Sequence, residues 1–409
     1  MKIRGEIANI PVGDDYDVVV VGVINVSPES FYKGSIVKSK KEIEEKALEM
    51  VEEGAKILDV GAMSTAPGVP PISLKEEKKR MLFAMKALRD IIDVPISADT
   101  FRAEVANVAL KEGAEIINDV SGLKADKKMA KIISEYDASV IVMAAEKRPG
   151  DVGKILKIKH ALRQSLQIAK SSGISEEKIA VDPGIGFGKK VTEDLHILRN
   201  LNRLRSLCRP ILVGVSRKSF IGKILNLKDP RERLIGSLAA TAIAVYNGAH
   251  LIRTHDVRET LQAVKIAESI RRNVLSLDAD GIKVTLLYTS SYFGDLEDLF
   301  VKIGVDRWAL NIFNQKSIYL AVLVENISTP AALIIKQEML ACGGDAALPK
   351  EMIDFHLKKG SIIIFGTYAQ YRKLVKKIRK MPFHLSVVAK LLKRILGVCK
   401  ENDYDSYTH

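Results

Sequence analysis

Two spacings of apolar residues alternate along the first 275 positions of this 409-residue chain. Short apolar runs, each followed by a polar loop, give way to longer stretches in which apolar residues recur every three or four positions. The short runs are too brief for helices and read as strands covered on both faces, whereas the longer stretches read as amphipathic helices. Strands are predicted at residues 18–23, 57–60, 95–98, 116–118, 139–143, 179–181, 211–215 and 251–253, with helices between them, from residues 40–53 to residues 257–271. Gly54, Gly113 and Gly248 supply left-handed residues where helices end before the next strand. Eight strand–helix units in about 250 residues predict a (β/α)8 TIM barrel over residues 1–275.

Beyond Arg272 the pattern changes, and a small α/β unit is predicted for residues 281–409. Its strands are expected at residues 284–288, 310–313, 318–324 and 362–365, its helices near residues 330–341 and 368–378. From Phe355 to Lys400 there are twelve Lys or Arg and no acid, with Ile378 and Leu392 among apolar residues at helical spacing. A solvated helix face and an acidic or nucleic-acid partner are the two readings of that run.

Composition changes this picture little. A net charge of +13 suits nucleic acid, but equally an enzyme handling polyanionic small molecules. Residues 1–17 carry no apolar signal segment, and no later run approaches the roughly 18 apolar residues of a membrane span, so a cytoplasmic protein without membrane partner is expected. Cys208, Cys342 and Cys399 are far apart and lack metal-ligand spacing, which argues against a disulfide framework or structural zinc.

In a barrel, residues just after each strand face the active site. Here those positions hold Asn25, the segment 59–68 with Ser64 and Thr65, Asp99, Asn118, Met143, Asp182-Pro-Gly-Ile-Gly-Phe-Gly-Lys189, Ser216-Arg217-Lys218, and Arg253-Thr-His255-Asp256. Singly, Asp99, Asn118 and Asp182 read as helix caps or Asx turns. Together with Lys218 they supply carboxylates that accept adjacent N–H donors and a lysine that donates to a ring oxygen, a pattern suited to a heterocycle. The Ser216–Lys218 turn, closed at Gly222, reads either as fixed cations awaiting an anion or as solvated loop charge. Arg253 and His255 alternate on one strand end and so share a side, which reads as an anion clamp.

These motifs, in this order, resemble those of the dihydropteroate synthase family of pterin-binding barrels: Gly22-Val-Ile-Asn-Val-Ser-Pro-Glu-Ser-Phe31, Asp182 to Lys189, Ser216-Arg-Lys-Ser-Phe220 and Arg253-x-His255-Asp256. The resemblance implies a transferase of folate biosynthesis that condenses 6-hydroxymethyl-7,8-dihydropterin diphosphate with p-aminobenzoate, giving 7,8-dihydropteroate and pyrophosphate. By it, Asp99, Asn118, Met143, Asp182 and Lys218 would hold the pterin, and Asn25, Arg253 and His255 the diphosphate. Mg²⁺ would bind through the phosphates, touching Asn25, while Ser64, Thr65, Phe187 and Ser216 would lie at the p-aminobenzoate. Asp99, Lys218, Arg253 and His255 would serve catalysis, and a homodimer is implied.

The chain departs from the family in three places. The usual Glu-Ser-Thr-Arg reads Met63-Ser64-Thr65-Ala66, the usual Ser-Asp-Gly-Gly reads Tyr32-Lys33-Gly34-Ser35, and the His after Met143 is Ala144. The acceptor arylamine therefore stays open, with Lys33 and Lys190 as candidate replacements for the missing Arg. A corrinoid-type, pterin-dependent methyltransferase and a non-catalytic pterin scaffold are the other readings; the former has no use for Arg253, His255 and the Ser-Arg-Lys turn. Residues 332–346 resemble a small module fused to some bacterial members of the family, of no assigned function.

Overall fold

The computed structural model describes residues 2–27, 39–64, 69–271, 276–289, 300 and 302–401. It divides into two compact units, Met1–Arg272 and Asn273–His409. A hairpin absent from the sequence expectation opens the first: β1 (Arg4–Ile7) pairs with β2 (Ile10–Gly13) through a turn with positive φ at Ala8 and Asn9. Mixed charge along residues 2–15 hides this element, but Ile7 and Val12 are fully buried.

Eight parallel strands follow: β3 (Val19–Asn25), β4 (Ile57–Gly61), β5 (Ile96–Asp99), β6 (Ile116–Asp119), β7 (Ser139–Met143), β8 (Ile179–Asp182), β9 (Leu212–Gly214) and β10 (Leu251–Thr254). They run in the order β8-β7-β6-β5-β4-β3-β10-β9, and a parallel bridge between Val181 and Ile211 closes the ring into a barrel. Alternation along each strand sorts the side chains. Val20, Leu58, Ala98, Ile117, Val140, Val181, Val213 and Ile252 join the core shared with the helices. Val19, Val21, Ile57, Ile116, Ile141, Ala180, Leu212 and Leu251 form a second cluster inside the barrel, with Ile7 and Val12 packed into it. On the same inward phase, the next positions are polar: Asp59, Ser97, Asn118, Asp182 and Arg253. The barrel thus has an apolar floor and a polar mouth.

The second unit is an antiparallel sheet of β11 (Ser276–Ala279), β12 (Ile282–Thr289), β13 (Tyr319–Ser328), β14 (Asp345–Ala347) and β15 (Lys359–Thr367), in the order β11-β12-β13-β15-β14. Val284, Leu320, Val322, Ile362 and Ile364 pack against Ile335, Tyr371, Leu374 and Leu392 from three helices. Residues 310–313 are not a strand: they lie in the helix Arg307–Ser317. Trp308 and Ile312, like Ala309 and Phe313, stand four apart, a helical spacing that the local apolar density obscures. The basic run lies mostly on the helices Tyr368–Ile378 and Leu385–Glu401, with Arg372, Lys373, Lys376 and Lys377 exposed; Lys377 pairs with Glu338 at 2.6 Å.

Candidate active site

The mouth is built around one arginine. Arg253, inward on β10, donates from Nε to Asp59 Oδ2 at 2.6 Å and from Nη2 to Asp99 Oδ2 at 2.9 Å. Asp59, fully buried on β4, also accepts from Ser97 Oγ at 2.6 Å and Asn118 Nδ2 at 3.2 Å. Four strands are thereby tied at one level. Among the described residues, the buried Asp99 Oδ1 has no hydrogen-bond partner. Burial pushes the Asp99 carboxyl up to about 7, the Arg253 charge opposing this and Asp59 adding to it. Asp182 accepts from Gly184 N at 2.7 Å, so it makes an Asx-like turn as well as facing the mouth, and burial raises its carboxyl too. The Asx-turn alternative to a site role for Asn118 is met instead by outward-facing Asp119, which accepts from Ser121 N and Leu123 N.

The turn after β9 divides its two cations. Arg217, with φ of 55°, is buried and turned away: it grips Asp256 at 2.6 Å and donates to the carbonyls of Pro230 and Arg231. Its charge is spent internally, so Arg217 is neither a cation awaiting an anion nor a solvated loop charge. Lys218 reaches toward the loop after β8, donates to the Ile185 carbonyl, and lies 4.5 Å from the Phe187 ring centre. Burial lowers its ammonium to about 8. Gly186 makes room for it, because a Cβ there would stand 2.3 Å from Lys218 Cδ, and Gly184, Gly186 and Gly188 all have positive φ. Gly222 is no turn; it lies inside the helix Ser219–Leu225, which ends at left-handed Asn226.

His255 sits against Ser216, Nδ1 to Oγ 3.0 Å. Burial first, then the charges of Arg253, Arg217, Lys218 and Lys46, push its imidazole down to about 3. At neutral pH it is therefore a hydrogen-bonding group and not a cation, and Arg253 is already engaged by two carboxylates. Asn25 ends β3 beside Gly61, where a Cβ would meet Asn25 Oδ1 at 3.2 Å. Met143 is fully buried against the Gly184 turn, and Ser64 is half-buried beyond β4. Thr65, Lys33 and Ala66 lie outside the described residues, while Lys190 is exposed at the start of the helix Val191–Arg199. Two residues of the mouth had not been singled out. Asp59 carries a signal in hindsight, an acid in the middle of the apolar run Ile57-Leu-Asp-Val60; Lys189, which folds back onto the Gly184 carbonyl, carries none beyond its place in the loop motif.

The barrel has an apolar floor and a mouth that gathers buried carboxylates, an amide and a lysine, and residues 21–255 match the model of the pterin binding enzyme family. The chain belongs to that family. Its relatives are transferases, the dihydropteroate synthases: the Synechocystis enzyme is 39% identical over 260 residues, covering 62% of this chain and 90% of the relative. The Clostridium beijerinckii enzyme is 38% identical over 254 residues, covering 62% and 94%. Among solved structures, dihydropteroate synthase from Clostridium difficile in the presence of pteroic acid superposes with a TM-score of 0.58 at 39% identity, over 63% of this chain and 98% of that one. The Xanthomonas albilineans enzyme with 4-aminobenzoic acid gives 0.59 at 31% identity, over 67% and 100%.

Proposed function

We propose that the barrel unit condenses 6-hydroxymethyl-7,8-dihydropterin diphosphate with p-aminobenzoate, releasing 7,8-dihydropteroate and pyrophosphate. The observation that carries this is the polarity of the mouth: Asp99, Asn118 and Asp182 offer acceptors, one of them a buried oxygen without a partner among the described residues, beside the lysine donor Lys218. A buried acceptor left unpaired costs about 1–3 kcal/mol, which a ligand N–H restores. A pterin edge presents several N–H donors next to one ring carbonyl, matching that set, with Met143 under the ring. Relatives solved with pteroic acid and 4-aminobenzoic acid support the same ligands.

The reaction breaks the bond from the pterin methylene to the diphosphate oxygen, which leaves with the electron pair. The arylamine nitrogen forms the new bond and gives its proton to solvent. No protein nucleophile is needed. Lys218 and Arg253 stabilise the separating charge, Asp99 fixes the ring, and His255 and Asn25 hydrogen-bond the leaving diphosphate. Ser64, Thr65, Phe187 and Ser216 position p-aminobenzoate. Among the described residues no group of three or more His, Cys, Asp or Glu could hold a metal. That would fit Mg²⁺ as an ion carried by the diphosphate oxygens and water, with Asn25 the described residue that would help to hold it. When bound, it neutralises charge on the leaving group.

We also propose a homodimer, supported by exposed Ile235, Ile243 and Tyr246 on the helix Leu234–Tyr246 and by Ile266 and Ile270 on the adjoining helix Val257–Arg271. No helix among the described residues is long and apolar enough to cross a membrane. Among the described residues Cys208 and Cys342 form no disulfide, which suits the reducing cytoplasm. Purified protein given the pterin diphosphate, Mg²⁺ and p-aminobenzoate should form dihydropteroate and pyrophosphate in equal amounts. Pterin binding with no pyrophosphate release would favour a binding scaffold instead, and turnover only with another arylamine would move the acceptor assignment.

A further inference from the structure

We propose that Asp59 is a positioning residue that sets which face of Asn118 the pterin meets, and so makes the site selective for ring edges that donate hydrogen bonds. The inference rests on the pterin reading above. A carboxamide is ambiguous: turned one way it offers an acceptor, turned the other a donor, with little change of shape. At the mouth of the barrel that ambiguity would undo selectivity. Asp59 removes it. Its carboxylate, paired with Arg253, can only accept, and Oδ2 receives Arg253 Nε at 2.6 Å and Asn118 Nδ2 at 3.2 Å. With its nitrogen held there, Asn118 turns Oδ1 away from Asp59. The other carboxylate oxygen takes the Ser97 hydroxyl at 2.6 Å, which fixes the Asp59 plane from the neighbouring strand. Asp59 is fully buried at the middle of β4, two residues below the strand end, and so lies beneath the ligand level and touches no substrate in this arrangement.

The same contacts order the rest of the mouth. Arg253 is anchored from below by Asp59 and reaches Asp99 with its far nitrogen, which occupies Asp99 Oδ2 and leaves Oδ1 as the oxygen without a partner among the described residues. One buried acid therefore orients two acceptors, Asn118 directly and Asp99 through the arginine. Asp59→Asn should preserve the arrangement, because its amide nitrogen can turn to the Ser97 hydroxyl while its oxygen still receives Arg253 and Asn118. Asp59→Ala cannot, and Asn118 becomes free to rotate.

The test is selectivity and not activity. Calorimetry would compare 6-hydroxymethyl-dihydropterin with the analogue in which the 2-amino donor is replaced by an oxo acceptor. The wild-type protein should bind the amino compound at least about tenfold more tightly, the value of one mispaired buried hydrogen bond. In Asp59→Ala that ratio should shrink about fivefold or more, and in Asp59→Asn it should stay near the wild-type value. A general loosening of the barrel would weaken both ligands alike, so an unchanged ratio in a folded Asp59→Ala overturns the proposal. Should that variant not fold, Asn118→Asp decides: a carboxylate presents an acceptor whichever way it turns, so discrimination should persist, and its loss would overturn the proposal. If the wild-type protein binds neither compound, the pterin reading itself fails, a result distinct from either of these.

Discussion

The two ends of the barrel use the same residue types to opposite effect. At the floor, Asp14 lies between Arg205 and His250: Arg205 donates to both carboxylate oxygens at 2.7 and 2.8 Å, His250 Nε2 lies 3.2 Å away, and the Ile3 amide adds 2.7 Å. His250 in turn accepts from Ile211 N. Burial alone would raise the Asp14 carboxyl, but His250, Arg205 and Ile3 outweigh it and hold it below the usual range. At the mouth, Asp99 shares Arg253 with Asp59, keeps one oxygen without a partner among the described residues, and is pushed up to about 7. The satisfied, half-buried Asp14 fastens the opening hairpin to the barrel; Asp99, with one buried oxygen unpaired among the described residues, is the acid proposed to receive the pterin. The polar group that the fold leaves wanting marks function better than the charge count does.

The largest way to break this contrast is at the floor. Asp14→Ala removes an acceptor shared by three donors and should lower unfolding free energy by about 2–3 kcal/mol in urea titrations, part of the loss being moderated by the solvent-exposed side of Arg205. Turnover per folded molecule should change little. Should activity fall as far as stability, the floor would be part of the site and the contrast wrong. At the mouth, Asp182→Asn replaces a double acceptor by a group that is half donor, and pterin affinity should fall by about 1.5–3 kcal/mol while thermal stability holds. Unchanged affinity with an intact fold would remove Asp182 from the pterin site.

The acidity shifts sharpen the comparison through pH. Because the folded Asp14 carboxyl sits below its unfolded value, its stabilisation is present above about pH 4 and is lost as pH falls below it. Asp99 has the reverse sign: its folded value near 7 exceeds the unfolded one, so its contribution is present at low pH and fades as pH rises from about 4 through 7. Unfolding measured across pH 3–8 should show both slopes, with Asp99→Asn flattening only the upper window. The smallest effect concerns the second unit. Every site motif falls within Met1–Arg272, so a chain ending near Leu275 should keep most of its turnover and the same salt dependence; collapse of activity, restored by adding the separate second unit, would assign that unit a part in catalysis.

Much of this was visible in the sequence because strand alternation is local. Once the apolar runs were phased, Asp99, Asn118, Asp182 and Arg253 had to face inward; that Gly186 clears the way for Lys218 was not legible there. The pairing among them was not visible, because Arg253 lies 194 and 154 positions from the two acids it binds. For the same reason Arg217 looked like a site cation until Asp256 was seen beside it. The opening hairpin is hidden because charges at Lys2, Arg4, Glu6, Asp14 and Asp15 surround the two apolar residues that anchor it, and the helix Arg307–Ser317 because four consecutive residues rich in apolar groups carry no period of their own.

The most direct measurement of the central claim is the proton count on pterin binding. At pH 6 a carboxyl with its midpoint near 7 is mostly protonated, and a ligand that donates N–H bonds to Asp99 must drive that proton off. Calorimetric titration of 6-hydroxymethyl-dihydropterin at pH 6, repeated in buffers of different ionisation enthalpy, should show release of about one proton, falling toward zero at pH 8 and in Asp99→Asn. Tight binding at pH 6 with no proton released, in a protein whose Asp99→Asn variant binds equally well, would contradict the account of Asp99 as the acceptor that the pterin completes.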